Sequence, residues 1–163
     1  MSYRRLRMPL LVAHIASSVG FLGAVAVFFC LAVSGLVASD GRLVNASYAV
    51  MPQITWFVIV PLAAVSLAVG VLQSLLSPWG LIRHYWVVVK FAMTVLITFV
   101  LMLQTNMIDG LGASASAREL GVMHLSARYS VLLHSGVGML ALLVVLVLSV
   151  VKPKGTTGWG RIH

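Results

Sequence analysis

Four long apolar runs decide what this chain can fold into. They are Leu10–Ala38, Ile54–Leu76, Trp86–Leu103 and Val131–Val151, of 29, 23, 18 and 21 residues. A helix of about 20 apolar residues crosses the hydrocarbon core of a bilayer. The third run falls short of that unless its helix begins earlier, near Gly80. The predicted membrane helices are therefore about 10–38, 54–76, 83–103 and 130–151, in a single domain over 1–163 with a mobile basic tail at 152–163. Composition agrees: 61% of residues are hydrophobic and 9% charged, where a water-soluble domain carries about a quarter charged. The expected fold is all-α, a four-helix transmembrane bundle in antiparallel up-down order.

Charge sets the expected orientation. After four crossings the N-terminus, the link between helices two and three, and the C-terminus share one side. That side carries Arg4, Arg5, Arg7, Arg83, Lys152, Lys154 and Arg161, with Lys90 just inside the membrane. The other side carries Arg42, Arg118 and Arg128 with all three acids, Asp40, Asp109 and Glu119. Positive charge favours the cytoplasm, so both termini are expected there. Anionic lipid headgroups then account for the net charge of +8 without nucleic acid. The opening "MSYRRLRMP" imitates a signal peptide, but the apolar run behind it is too long for a signal core and is expected to be retained as helix one. Compact, loop-poor character suggests a bacterial cytoplasmic (inner) membrane. The only cysteine, Cys30, rules out an intramolecular disulfide and a thiol cluster for metal. Asn45-Ala46-Ser47 matches a glycosylation sequon.

Local signals punctuate the runs. "SDGR" in the expected outer loop Ser39–Gln53 is a turn signal, and "SPWG" breaks the chain between helices two and three. Ser116-Ala117-Arg118-Glu119 has the pattern of a capping box at a helix start within the outer loop Gln104–Tyr129. Pro61 is expected to kink helix two, because it lacks an N–H and crowds the carbonyl of Phe57. Small residues recur every fourth position at Ala16, Gly20 and Ala24, at Ser66, Gly70 and Ser74, and around His134 at Ser130 and Gly138. Such faces let helices approach closely in lipid.

The residues able to carry chemistry are few. Lys90 lies roughly 6 Å beyond Trp86, a distance a lysine spans by snorkelling to the surface. Yet Arg83, Trp86, Lys90, Thr94 and Thr98 form one stripe, whose two cations would suit an anion: a lipid phosphate, a quinone-like oxygen or haem propionates. His14 and His84 fall at matching depths near the cytoplasmic end. His134 lies roughly 15 Å from His14 in height and cannot share a metal with it. The sharpest site is therefore b-type haem held by His14 and His84, with Ser17, Ser18 and Phe21 lining the slot. In that site Ser18 orients an imidazole, and Arg83 or Lys90 meets the propionates. His134 is the fallback ligand, with Met102 a distant counterpart. His163 is expected to be an exposed terminal residue. Met51, Met102, Met107, Met123, His124 and His134 cluster toward the outer side and would suit Cu(I). No nucleophile triad, phosphate-binding glycine loop or carboxylate pair is present, so nothing specifies an enzyme.

Three stretches, "LLVAHIASSVGFLGAVAVFF", "SPWGLIRHYWVVVKFAMTV" and "HSGVGMLALLVVLVLSVVKPKG", resemble a family of small four-helix integral membrane proteins of actinobacterial type. That resemblance implies the helix count and adds no activity. More distantly, intramembrane histidines in four helices resemble membrane b-type cytochromes and copper-resistance membrane proteins. The chain departs from the two-haem pattern because its outer half offers His134 no evident histidine partner. Three functions stand as expectations: haem-based electron transfer or redox sensing, a non-catalytic subunit or accessory protein among other membrane subunits, and copper handling.

Overall fold

The computed structural model describes residues 3–76, 80–121, 124–151, 153 and 155–157, with side chains from Arg7 onward. Its helices are α1 (Tyr3–Val37), α2 (Gly41–Ile54), α3 (Val60–Leu76), α4 (Tyr85–Ser116) and α5 (Leu125–Val151). A π-helical segment, Thr55–Ile59, joins α2 to α3 without a break. Four rods result, Arg7–Val37, Gly41–Leu76, Tyr85–Ser116 and Leu125–Val151, each long and apolar enough to cross a membrane. The shortest has 27 residues, about 40 Å of helix against a hydrocarbon core of about 30 Å. Among the described residues no strand occurs; His84 and Thr156 form a single isolated bridge.

The rods are longer than expected on one side, for local reasons. The second begins at Gly41, so most of the expected outer loop Ser39–Gln53 is helix. Asp40 caps it, its carboxylate accepting from the Arg42 N–H at 2.9 Å. The polar residues that suggested a loop are satisfied within the helix. The Asn45 amide donates to the Gly41 carbonyl, and the Ser47 hydroxyl to that of Leu43. Tyr48 and Met51, one turn apart, are fully buried. The sequon therefore lies on a helix with its serine buried. Before Pro61 the backbone widens into the π segment, where the Val60 N–H reaches the Thr55 carbonyl. Such a bulge is a common answer to a disrupted helical ladder.

Ser116–Glu119 is a helix end, which corrects the expected start. α4 runs through Ser116, whose hydroxyl donates back to the Gly112 carbonyl at 2.8 Å and so cannot cap a new helix. The N–H groups of Arg118 and Glu119 then donate to the carbonyls of Ala115 and Ser114. With Arg118 at φ 60°, this is a Schellman motif, which satisfies the orphan carbonyls at the end of a helix. The turn to α5 is short, and α5 starts at Leu125 rather than near residue 130.

α1 packs on α2, α3 and α5, and α4 packs on the same three. Along α1 the residue numbers rise while those of its partners fall: His14 lies by Gly70, Gly20 by Leu62 and Gly35 by Tyr48. One end of the bundle, the terminal end, thus gathers the start of α1, residues 80–84 and Gly155–Thr157. The distal end gathers the Val37–Gly41 turn and the α4–α5 turn. The core of Phe21, Val25, Phe28, Ala32, Tyr48, Met51, Ile59, Ile108 and Leu111 lies from mid-depth to the distal end. Outward faces are apolar, with Phe57 81% and Val150 75% exposed. That is what lipid, not water, can cover.

Candidate functional site

At the terminal end the expected ligands are present but differently employed. His14, on α1, presses its imidazole against α3; a Cβ added at Gly70 would sit 3.0 Å from His14 Cε1. That is why glycine stands there. His14 Nδ1 is buried with no hydrogen-bond partner among the described residues. Ser18 does not orient this ring. Its hydroxyl pairs with that of Ser66 at 2.8 Å, joining α1 to α3. Ser17 is buried and donates to the His14 carbonyl at 3.2 Å.

His84 occupies a different setting. It precedes the first turn of α4 with extended backbone (φ −125°, ψ 132°), and its carbonyl accepts from Val87 and Val88. Its ring lies 6.4 Å from the buried Trp86. The chain near the C-terminus lies across it: Thr156 bridges to His84, and the Thr157 N–H donates to the Arg83 carbonyl at 2.9 Å. The Arg83 side chain is exposed and folds its stem over Gly80, which turns at φ +61°. Neither described cavity is lined by His14 or His84. The seam that holds the His14 ring would have to part before a flat macrocycle could enter.

Lys90 reaches across the bundle. Its ammonium donates to the Ser149 hydroxyl of α5 at 2.9 Å and sits 5.0 Å from the centre of the Trp86 ring. Ser149 donates onward to the Val145 carbonyl. Lysine, serine and indole thus form one link between α4 and α5. Thr94 and Thr98 are half-buried and donate to the carbonyls of Lys90 and Thr94. Of the stripe, Trp86 is buried and Lys90 is held by α5, while Arg83 is exposed.

The distal residues split as well. Met51 is in the core, whereas Met102 and Met107 are exposed on α4. Met123 and His163 lie outside the described residues. The His124 ring accepts from the Gly121 N–H at 3.4 Å in the turn before α5. Among the described residues no three histidine, cysteine or carboxylate side chains gather as for a metal ion. His134, exposed on α5, holds Nδ1 2.7 Å from the Ser130 carbonyl. It lines a cleft of about 380 Å³ between α1, α4 and α5. Met102, its expected counterpart, does not line that cleft.

Two features carry no signal in the sequence. Arg128 ties three helices together: Nε donates to the Tyr48 hydroxyl at 3.3 Å, Nη2 donates to the Gly35 carbonyl, and the guanidinium lies 5.3 Å from the centre of the Tyr48 ring. Gln104, in the apolar cleft, has a buried Oε1 with no partner among the described residues. Single residues far apart in sequence show no periodicity that would announce such meetings. Comparison with family models, with curated proteins and with solved structures finds no match for this chain.

Proposed function

We propose that this is a four-pass protein of a bacterial cytoplasmic membrane, antiparallel up-down, with both termini in the cytoplasm, serving as a non-catalytic subunit or accessory protein. One observation carries the reading. Polar side chains of the terminal half join helices at three places: His14 against Gly70, Ser18 with Ser66, Lys90 with Ser149. In lipid, helices associate through close packing and interhelical hydrogen bonds, because hydrocarbon offers no hydrophobic drive between them. Such a set of side chains builds a scaffold.

The orientation rests on charge. Arg7, Arg83 and Lys90 lie toward the terminal end, and Asp40, Asp109 and Glu119 toward the distal end. In a Cys30→Ala background, cysteines at Ile82 should resist an impermeant thiol reagent applied to intact cells, while cysteines at Ala117 should react. The role is tested by the absorption spectrum of protein expressed with ample haem. The expected result is no Soret band, with in-cell crosslinking from the terminal end capturing a defined membrane protein. A Soret band that His14→Ala or His84→Ala removes would overturn the accessory reading in favour of haem.

A further inference from the structure

In the cleft between α1, α4 and α5 the side chains of His134 and Gln104 make no hydrogen bond to another helix among the described residues. We propose that this cleft binds a membrane-soluble hydroquinone, recognised through hydroxyl groups donated to His134 and Gln104. At about 380 Å³ it falls within the range of small-molecule sites. Phe21 and Phe28 of α1 form part of its wall, and the rest is almost wholly aliphatic.

Of the three polar side chains in that lining Ser135 donates to the Leu132 carbonyl within its own helix, and the other two have a definite chemistry. His134 Nδ1 is 2.7 Å from the Ser130 carbonyl. The Ser130 hydroxyl lies farther from the same nitrogen, at 3.2 Å; the closer carbonyl can only accept, which favours the neutral ring with its proton on Nδ1 and Nε2 left as an acceptor. Gln104 Oε1 is a second acceptor, buried and unpartnered among the described residues. Unsatisfied polar groups are costly inside a bilayer, and a donor in the cleft would relieve both. One acceptor stands on α4 and the other on α5, which matches a head with two hydroxyl groups better than one with a single hydroxyl. A hydroxyl also serves either orientation of the Gln104 amide. Space for a flat ring exists at Gly138, where an added Cβ would meet nothing within 4 Å.

That open position supplies the test. Gly138→Phe should fill the cleft without displacing a neighbour. Purified protein in lipid nanodiscs would be titrated with a short-tailed hydroquinone, with its dimethyl ether, and with an alkanol of equal length. The hydroquinone should bind at least tenfold more tightly than either. Gln104→Leu and His134→Phe should each weaken it about tenfold, Gly138→Phe should abolish it, and His14→Ala should leave it unchanged. Equal binding of the dimethyl ether or the alkanol overturns the hydroxyl recognition. So does binding that survives Gly138→Phe. Absence of binding, with a dimer that Gly138→Phe disrupts, overturns it in favour of a helix from a second copy. A Soret band lost in His14→Ala would overturn the accessory reading and leave this one standing.

Discussion

The two ends of the bundle are held by different means. At the distal end helices meet chiefly by shape, to which Arg128 and the Trp56–Asp109 pair add hydrogen bonds. Tyr48 is fully buried with its ring against Gly35, and Pro52 fills the space where Gly112 has no side chain. At the terminal end they meet through polar pairs of modest reach, Ser18 with Ser66 and Lys90 with Ser149. Close packing tolerates no added volume, whereas a polar pair in a membrane contributes only about 0.6 kcal/mol on average. Substitutions should therefore be severe at one end and mild at the other.

The largest effect is expected at the distal glycines. A Cβ at Gly35 would lie 2.5 Å from Tyr48 Cε2, and one at Gly112 would overlap the Pro52 ring. Overpacking typically costs about 1–3 kcal/mol, and a clash with a rigid ring or proline belongs at the top of that range. Gly35→Leu and Gly112→Leu should each lower stability in detergent by about 3 kcal/mol or prevent folding. Gly23→Ala, where nothing lies within 4 Å, should be neutral or slightly stabilising. Equal tolerance at all three positions would erase the distinction between the ends.

Next comes the arginine that completes the distal packing. Hydrogen bonds to a charged group are worth about 1.5–3 kcal/mol, and Arg128 donates to both the Tyr48 hydroxyl and the Gly35 carbonyl. Arg128→Met should destabilise by about 2 kcal/mol in reversible unfolding. Tyr48→Phe in the Arg128→Met background should cost less than Tyr48→Phe alone, since the hydroxyl has already lost its donor. Additive effects would show that the two side chains are neighbours without being coupled.

Terminal-end pairs come third. Ser18→Ala and Ser149→Ala should each cost less than about 1 kcal/mol, by the same membrane hydrogen-bond scale. Gly70→Leu is the exception that sharpens the contrast. Its Cβ would meet the His14 ring at 3.0 Å, so it should cost more than either serine, and His14→Ala should relieve it. Failure of that relief would place the His14 ring elsewhere than in the α1–α3 seam.

The same contrast explains what could be read from the residues. Four apolar runs specify four rods because bilayer thickness and helical rise leave no other solution. Rod ends were harder. Asn45, Ser47 and Gln53 look like loop residues, yet Asn45 and Ser47 donate to their own helix and the apolar face of α2 continues beneath them. Ser116 and Glu119 have the spacing of a helix start, yet α4 runs up to Ser116, its last turns held by the packing of Gly112 and Ala115. The candidate site was legible as a list of side chains and not as an arrangement. Depth along a helix placed His14 and His84 together, but rotation about the helix axis set His14 toward Gly70, and the segment before α4 set His84 beside Trp86. Gln104 carried no signal at all, because one amide in an apolar run gains meaning only from the cleft it enters.

The smallest expected effect tests the correction at the end of α4. Arg118 occupies the left-handed position of the Schellman motif at φ 60°, where a Cβ is unfavourable and glycine is the usual residue. Arg118→Gly removes that strain but enlarges the freedom of the unfolded chain, so the two effects partly cancel. The net gain should be about 0.5 kcal/mol. Arg118→Ala keeps the Cβ and should bring no gain, which separates backbone strain from loss of the arginine charge. Were Ser116–Glu119 the start of a helix, Arg118 would stand in its first turn. Glycine there would destabilise relative to alanine by up to about 1 kcal/mol. The order of the two variants, glycine above alanine or below it, therefore decides between a helix end and a helix start at this turn.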